Sequence, residues 1–310
     1  MDHVRLLLAG DKRAAAKLIS LIEDDEPEAM EALARVHPHT GRAHIVGFTG
    51  PPGAGKSSLI NRLVRVFRAR GKKVGVVAVD PTSPFTGGAV LGDRVRMADT
   101  GTDPGVFIRS MATRGHAGGL ALATFDAVRV LDAMGMDVVF VETVGAGQSE
   151  VDIAARAHTT VVVEMPLSGD AVQVMKAGLL EIGDVYSVNK VDLTGADDFV
   201  ANLKFQVTPR DGWTPPILRT SASEGLGIEE LANAIEGHLA HLKSTGLLDR
   251  KEVARARQEI FENAQRLLQT NVRDNAKVQV GFDRLATRVA KRKIDSRAAA
   301  LLVLRSAGRS

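Results

Sequence analysis

The sequence predicts an α/β protein built on a doubly wound, mostly parallel sheet, with helical extensions at both ends. Three observations lead there. Short apolar runs that read as buried strands alternate with longer stretches of helical spacing. A glycine-rich loop, Gly50–Ser57, lies between the first such strand and the helix that follows it. Residues 3–37 and those beyond about 245 show helical spacing with no strand among them. The expected organisation is a helical extension over 1–40, a sheet-bearing body over 41–244 and a helical arm over 245–310.

In the first extension, Leu7, Leu8, Ala14, Ala15, Leu18, Ile19 and Ile22 can share one helix face, and Pro27 starts another short helix. His37-Pro38-His39 then breaks the pattern. The paired histidines could mark a metal, but no further ligands cluster beside them, so a solvated turn is the expected role. Ile45–Thr49 reads as the first buried strand, and Leu59, Ile60, Leu63, Val64 and Phe67 give helical spacing after it. Between them, Gly50-Pro51-Pro52-Gly53-Ala54-Gly55-Lys56-Ser57 fits G-x-x-x-x-G-K-[ST] in the strand–loop–helix setting that the motif requires. Gly53 and Gly55 allow torsions that a Cβ would forbid. The loop amides and the helix N-terminus can then face a polyphosphate. Lys56 is placed to reach the β- and γ-phosphates, and the Ser57 hydroxyl to ligate Mg²⁺.

Val74–Val79 is the second strand and ends in Asp80-Pro81-Thr82-Ser83-Pro84. An acid at the C-terminal end of a parallel strand lies on the ligand side of such a sheet; a plain turn or N-cap role for Asp80 remains open. Leu91 to Met97, with Asp93 in it, is expected to be helical. Val106–Arg109 is a third strand, and the glycine-bearing loop Met111–Gly119 leads to an amphipathic helix from Leu120 to Met134. His116 in that loop reads as a loop or capping residue.

Asp137–Val141 delivers Glu142-Thr143-Val144-Gly145. In phosphate-loop proteins a strand ending in an acid, with Gly three residues on, places the carboxylate near Mg²⁺ and the Gly amide near the γ-phosphate. Gly145 and Gly147 would let the segment reorganise when that phosphate is lost, and Gln148 is a weaker candidate for orienting water. Thr159–Val163 and Asp184–Val188 are further strands, with a helix from about Asp170 to Glu181 between them. The second ends in Asn189-Lys190-Val191-Asp192, the pattern N-K-x-D. A carboxylate at Asp192 can accept from guanine N1–H and the 2-amino group, which adenine does not present together. Asn189 would fix the loop and Lys190 cover the base. Ile217–Thr220 is the last strand; Ser221-Ala222-Ser223 after it can offer amides to the guanine carbonyl, and Leu226 to Leu242 closes the body. Beyond 245, Val253, Ile260, Phe261, Leu267 and Leu268 fall on one helical stripe, and Asp295 is an expected N-cap.

Composition sets outer limits. With 45% apolar and 25% charged residues among 310, a sizeable core is expected. A net charge of +3 gives no reason to expect nucleic acid as a partner. With no cysteine, neither disulfide nor thiolate metal site is available, which fits the cytoplasm. No signal peptide or membrane span is expected.

The order phosphate loop, D-P-T-S-P, E-T-V-G, N-K-V-D, S-A-S, with an extra strand–helix unit before E-T-V-G, resembles the SIMIBI class of P-loop GTPases. GFTGPPGAGKSSLI, VAVDPTSPFTGGAVLGDRVRM, FIRSMATRGHAGGLA, VVFVETVGAGQSEVDIA, GDAVQVMKAG and VNKVDL together resemble the methylmalonyl-CoA mutase-associated GTPases of the MeaB/ArgK type over roughly residues 41–242. That resemblance implies a GTP-hydrolysing chaperone that gates adenosylcobalamin loading and protects or reactivates an adenosylcobalamin-dependent acyl-CoA mutase. It also implies a homodimer through the C-terminal helices. Carried over by motif, Gly50 to Ser58 with Lys56 would hold the phosphates of GTP or GDP. Ser57, Asp80, Asp93 and Glu142 would form the Mg²⁺ shell and switches, with Lys56, Asp80 and Glu142 nearest the chemistry. Asn189, Lys190, Asp192, Ser221, Ala222 and Ser223 would hold guanine. Two stretches depart from the family pattern, Arg109–Gly119 and Gly169–Gly178, and point to a divergent branch. Arg94, Arg96 and Arg109 are candidates for an arginine finger. The alternatives are a metal-insertion GTPase of the same class, disfavoured by the lack of Cys, a kinase or transport regulator, disfavoured by N-K-x-D, and a nucleotide-dependent scaffold.

Overall fold

The computed structural model describes residues 2–80, 102–112, 117–143, 156–166, 177–274 and 276–307. Among these residues the strands form a seven-stranded sheet of order β3-β2-β4-β1-β5-β6-β7, every neighbouring pair parallel. The strands are β1 His44–Thr49, β2 Val74–Asp80, β3 Val106–Ala112, β4 Val138–Glu142, β5 Thr159–Glu164, β6 Val185–Val188 and β7 Ile217–Arg219. This is the doubly wound sheet that the sequence predicts, and it is wholly parallel. The chain runs outward from β1 to β2 and β3, returns through β4 to β1, and leaves on the other side through β5, β6 and β7. Ligand crevices in such sheets open at the C-terminal strand ends where the winding reverses, here beside β1.

The central strands β1, β4 and β5 are buried along their whole length because both faces are covered. Alternate residues then serve opposite cores. Val46, Phe48 and Phe140 face the helices α4 (Lys56–Ala69) and α8 (Ile228–Ser244) through Leu59, Leu63, Phe67, Leu231 and Ile235. Phe140 meets Phe48 and Phe67 edge-on. Ile45, Val77, Val139 and Val141 face the other way. There they pack with Phe125, Val128 and Leu131 of α5 (Ala117–Ala133) and with three N-terminal helices, α1 (His3–Leu8), α2 (Lys12–Glu23) and α3 (Pro27–Val36). Asp2 and Asp11 cap α1 and α2 with their carboxylates, and Pro27 occupies the first turn of α3. A short helix α6 (Ala177–Ile182) precedes β6, and α7 (Ala196–Gln206) covers β6 with Phe199, Val200 and Leu203.

At the N-terminal strand ends, a chain of polar contacts joins His44, Thr159, His238 and Asp184. Thr159 Oγ1 lies 2.8 Å from His44 Nε2 and 2.9 Å from His238 Nδ1, and Asp184 is 3.5 Å from His238 Nε2. These histidines are thus on the edge opposite the glycine-rich loop.

The chain divides into two compact units, Met1–Asp249 and Arg250–Ser310. The second holds most of α9 (Leu247–Asp274), with α10 (Ala276–Ala290) and α11 (Ser296–Ala307). Asp295 caps α11 by accepting from the Ala298 amide at 2.9 Å, as its position in the sequence predicts. On α9, Val253, Ile260, Phe261, Leu267 and Leu268 are exposed. No helix among the described residues is long and apolar enough to cross a membrane.

Candidate nucleotide-binding site

The loop from Gly50 to Gly55 leaves the end of β1 and enters α4 directly at Lys56. Gly50 has φ +132°, and a Cβ there would run into the backbone carbonyl of Val163 on β5. Gly55, at φ +92°, caps α4, and a Cβ there would collide with the side-chain amide of Asn189. Both positions therefore exclude side chains by space as well as by torsion. Lys56 is 6% exposed; its ammonium donates to the carbonyls of Gly50 at 2.9 Å and Pro51 at 3.1 Å. The buried cation thus rests on the rim of its own loop. Ser57 Oγ donates to Glu142 Oε1 at 2.6 Å. Glu142 reaches it because β4 lies beside β1 with Glu142 level with Phe48. Ser58 lies exposed in the first turn of α4.

The second cluster sits at the ends of β6 and β7. Asn189 is 1% exposed and joins three segments. Its Nδ2 donates to the Ala54 carbonyl at 2.7 Å, and its Oδ1 accepts from the Ala222 amide at 3.1 Å and from Thr220 Oγ1 at 3.3 Å. Lys190 takes φ +59°, unusual for a residue with a side chain. Asp192 is exposed, and its carboxylate accepts from Ser221 Oγ at 3.0 Å. Ser223 Oγ lies 3.0 Å from Ser221 Oγ. A backbone loop is closed beneath them by reciprocal hydrogen bonds between Ser221 and Leu226, each 3.1 Å.

The structure therefore brings together Gly50 to Ser58, Glu142, Asn189 to Asp192 and Ser221 to Ser223, which the sequence separates by up to 173 positions. Asp80 ends β2 opposite Ala112 of β3. Asp93 lies outside the described residues, as do Arg94, Arg96, His116, Gly145, Gly147 and Gln148. Arg109, a finger candidate by sequence, instead engages α2, donating to the Glu23 carboxylate and, at 3.1 Å, to Ser20 Oγ.

Three features of the site escaped the sequence reading. Thr220 bonds the motif asparagine and, at 2.8 Å, Ser187 Oγ; its place at a strand end beside S-A-S is the signal that could have found it. Gly50 is named by the glycine motif, but its close approach to the backbone of β5, which leaves no room for a Cβ, is not. Arg62 on α4 donates to the Ala222 carbonyl through Nε and to the Ser223 carbonyl through Nη2, both at 2.8 Å. Nothing local to Arg62 announces that contact.

The sequence pattern of the family described as methylmalonyl Co-A mutase-associated GTPase MeaB matches residues 15–277. A Pyrococcus abyssi protein provisionally named a GTPase is 49% identical over 311 residues, covering 98% of this chain and 95% of its own length. The mitochondrial methylmalonic aciduria type A homolog of Caenorhabditis elegans is 32% identical over 268 residues, covering 79% of this chain and 67% of its own. The crystal structure of a LAO/AO transport system kinase is similar in fold, with a TM-score of 0.72 at 24% identity, covering 98% of this chain and 96% of that one.

Proposed function

Because the chain belongs to the methylmalonyl Co-A mutase-associated GTPase family MeaB, and is thereby a GTPase, we propose that it is a GTP-driven chaperone of an adenosylcobalamin-dependent acyl-CoA mutase. In this reading, GTP binding and hydrolysis gate cofactor loading and protect or reactivate the mutase. The name of the family and that of the Caenorhabditis elegans relative support the mutase as client. The observation that carries the nucleotide reading is the bridge made by Asn189, which ties the phosphate loop at Ala54 to the base loop at Ala222. One side chain thereby holds the two halves of a nucleoside triphosphate site in register.

The chain's own residues divide the work. The amides of Gly53 to Ser57 and the N-terminus of α4 receive the phosphates. Lys56 turns its ammonium from the carbonyls of Gly50 and Pro51 to the phosphate oxygens, where it stabilises charge that grows as the γ-phosphoryl group departs. Asp192, oriented by Ser221 Oγ, accepts from the guanine N1–H and 2-amino group. Ser57 Oγ and Glu142 Oε1 are hard oxygen donors already side by side, the kind of set that Mg²⁺ takes; Asp80 and Asp93 complete the proposed shell. Held by these residues, the ion would supply charge neutralisation on the phosphates. The exposed stripe on α9 supports a homodimer formed through the C-terminal helices, and a cytoplasmic setting fits a chain without cysteine.

The test is GTP hydrolysis by the pure protein, alone and with adenosylcobalamin-dependent mutases acting on methylmalonyl-, isobutyryl- and 2-hydroxyisobutyryl-CoA. The expected result is slow turnover alone and acceleration by one mutase, which names the client. GTP hydrolysis that no mutase alters would remove the chaperone reading and leave the GTPase.

A further inference from the structure

We propose that Arg62, on the phosphate-loop helix, is a positioning residue for base recognition. It aims the backbone of the Ser221–Ser223 loop at the oxygen on C6 of guanine. The inference rests on the guanine reading of that loop and names a residue outside every motif.

Most amide donors of the loop are already taken. The Ser221 amide bonds the Leu226 carbonyl, and the amides of Gly225 and Leu226 bond the Ser221 carbonyl. The Ala222 amide is taken by Asn189 Oδ1. Among the described residues, the amides of Ser223 and Glu224 remain without a protein acceptor, and both residues are exposed. A ligand oxygen at this loop would be met by those two amides.

Their direction is set by the carbonyls that precede them. The chain has no cis peptide bond, and in a planar trans peptide the C=O and the following N–H point opposite ways. Arg62 holds the Ala222 carbonyl with Nε and the Ser223 carbonyl with Nη2, each at 2.8 Å. Drawing both carbonyls toward α4 turns the amides of Ser223 and Glu224 away from it. The guanidinium is a rigid planar fork, so its two nitrogens fix the relative direction of the two successive carbonyls. A lysine on the same turn offers one charged point. The clamp also runs between the helix that starts at the phosphates and the loop that reads the base, so both ends of the nucleotide are located from one rigid element.

The test uses the full chain with GTP, GDP and 2-aminopurine riboside triphosphate. That analogue keeps the 2-amino group for Asp192 but has neither the oxygen on C6 nor the proton on N1, so the readout is the change in the GTP-to-analogue ratio between variant and wild type. Its fluorescence reports its own binding, and competition gives the affinities of GTP and GDP. For Arg62→Ala, GTP and GDP affinity should fall by about tenfold while the analogue shifts less than about twofold, as for a lost pair of hydrogen bonds. Arg62→Lys, which keeps the charge and most of the packing, should show the same narrowing of the GTP-to-analogue ratio and serves if the alanine variant does not fold. A residue that merely stabilised the fold would weaken all three ligands alike, so an unchanged ratio overturns the proposal. A wild-type protein that binds the analogue as well as GTP overturns the guanine reading of the loop, and the role of Arg62 with it.

Discussion

Asn189 and Ala54 stand 135 positions apart, yet the side-chain amide of the first donates to the carbonyl of the second at 2.7 Å. The same side chain accepts from Ala222 on the far side. A residue usually assigned to the base is therefore a brace for the phosphate loop as well. Asn189→Asp retains the shape but loses the donor and sets a carboxylate against a carbonyl. GTP and GDP affinity should both fall at least tenfold or so, since a buried polar group is left in conflict. Displacement of a fluorescent GDP analogue measures it, and unchanged affinity would mean that the brace carries no function.

Gly55 and Gly53 separate torsion from space. Both have positive φ, +92° and +79°, but a Cβ at Gly55 meets Asn189 whereas one at Gly53 meets nothing within 4 Å. Gly53→Ala should cost the nucleotide-free protein only about 1–2 kcal/mol of left-handed strain. Gly55→Ala should cost clearly more and should also disturb the Asn189 bridge. Urea unfolding of the two variants without nucleotide makes the comparison; equal losses would contradict the close packing of Asn189 on the loop.

The contact between Ser57 and Glu142 bears on the ion. If these oxygens hold Mg²⁺, wild-type affinity for GTP should drop about tenfold or more when EDTA replaces Mg²⁺, as for a cation that clamps phosphates. Ser57→Ala and Glu142→Gln should each lose most of that difference. Titrations in Mg²⁺ and in EDTA decide it, and variants as sensitive to the ion as the wild type would remove both residues from the proposed shell.

Acid should loosen a contact far from the site. Asp103 is gripped by Arg68 Nε at 2.9 Å and Nη2 at 3.0 Å, and also accepts from the Gly105 amide. The Arg68 hydrogen bonds first, then that amide, hold its carboxyl below the ordinary 3.8. A carboxyl lowered by folding contributes stability that is present above its unfolded value and is lost as pH falls through the folded one. Asp103→Asn should therefore be less stable than wild type at pH 7, by about 1 kcal/mol given the exposure of the pair. The gap should begin to narrow below about pH 4, near the unfolded carboxyl value, and go on narrowing as pH falls through the folded one. Chemical denaturation at pH 7 and pH 3 checks this, and a gap independent of pH would refute the assignment.

The strands and the three nucleotide motifs were legible because each has a local signature. A fully buried parallel strand is a short unbroken apolar run, and Ile45–Thr49, Val74–Val79 and Thr159–Val163 are such runs. The helix α7 went unread, since its apolar residues Phe199, Val200 and Leu203 are few and sit among polar ones. Arg62 was illegible for a different reason. It occupies a polar position on an amphipathic helix, where solvation is the ordinary expectation, and its acceptors are backbone carbonyls 160 and 161 positions away. Backbone acceptors leave no mark in a sequence. The engagement of Arg109 with Glu23 was hidden likewise, because it depends on α2 lying along β3.

The placement of α1 to α3 has a consequence for biosynthesis. Leu7, Leu18 and Ile19 share a core with Val128 and Leu131 of α5, so α1 and α2 have as their partner a helix made more than a hundred residues later. At ordinary rates of translation that is a delay of about ten seconds. For that interval an apolar helix face waits in the open, and a nascent chain halted before α5 would carry it uncovered. These helices reach their buried place only once α5 has been made.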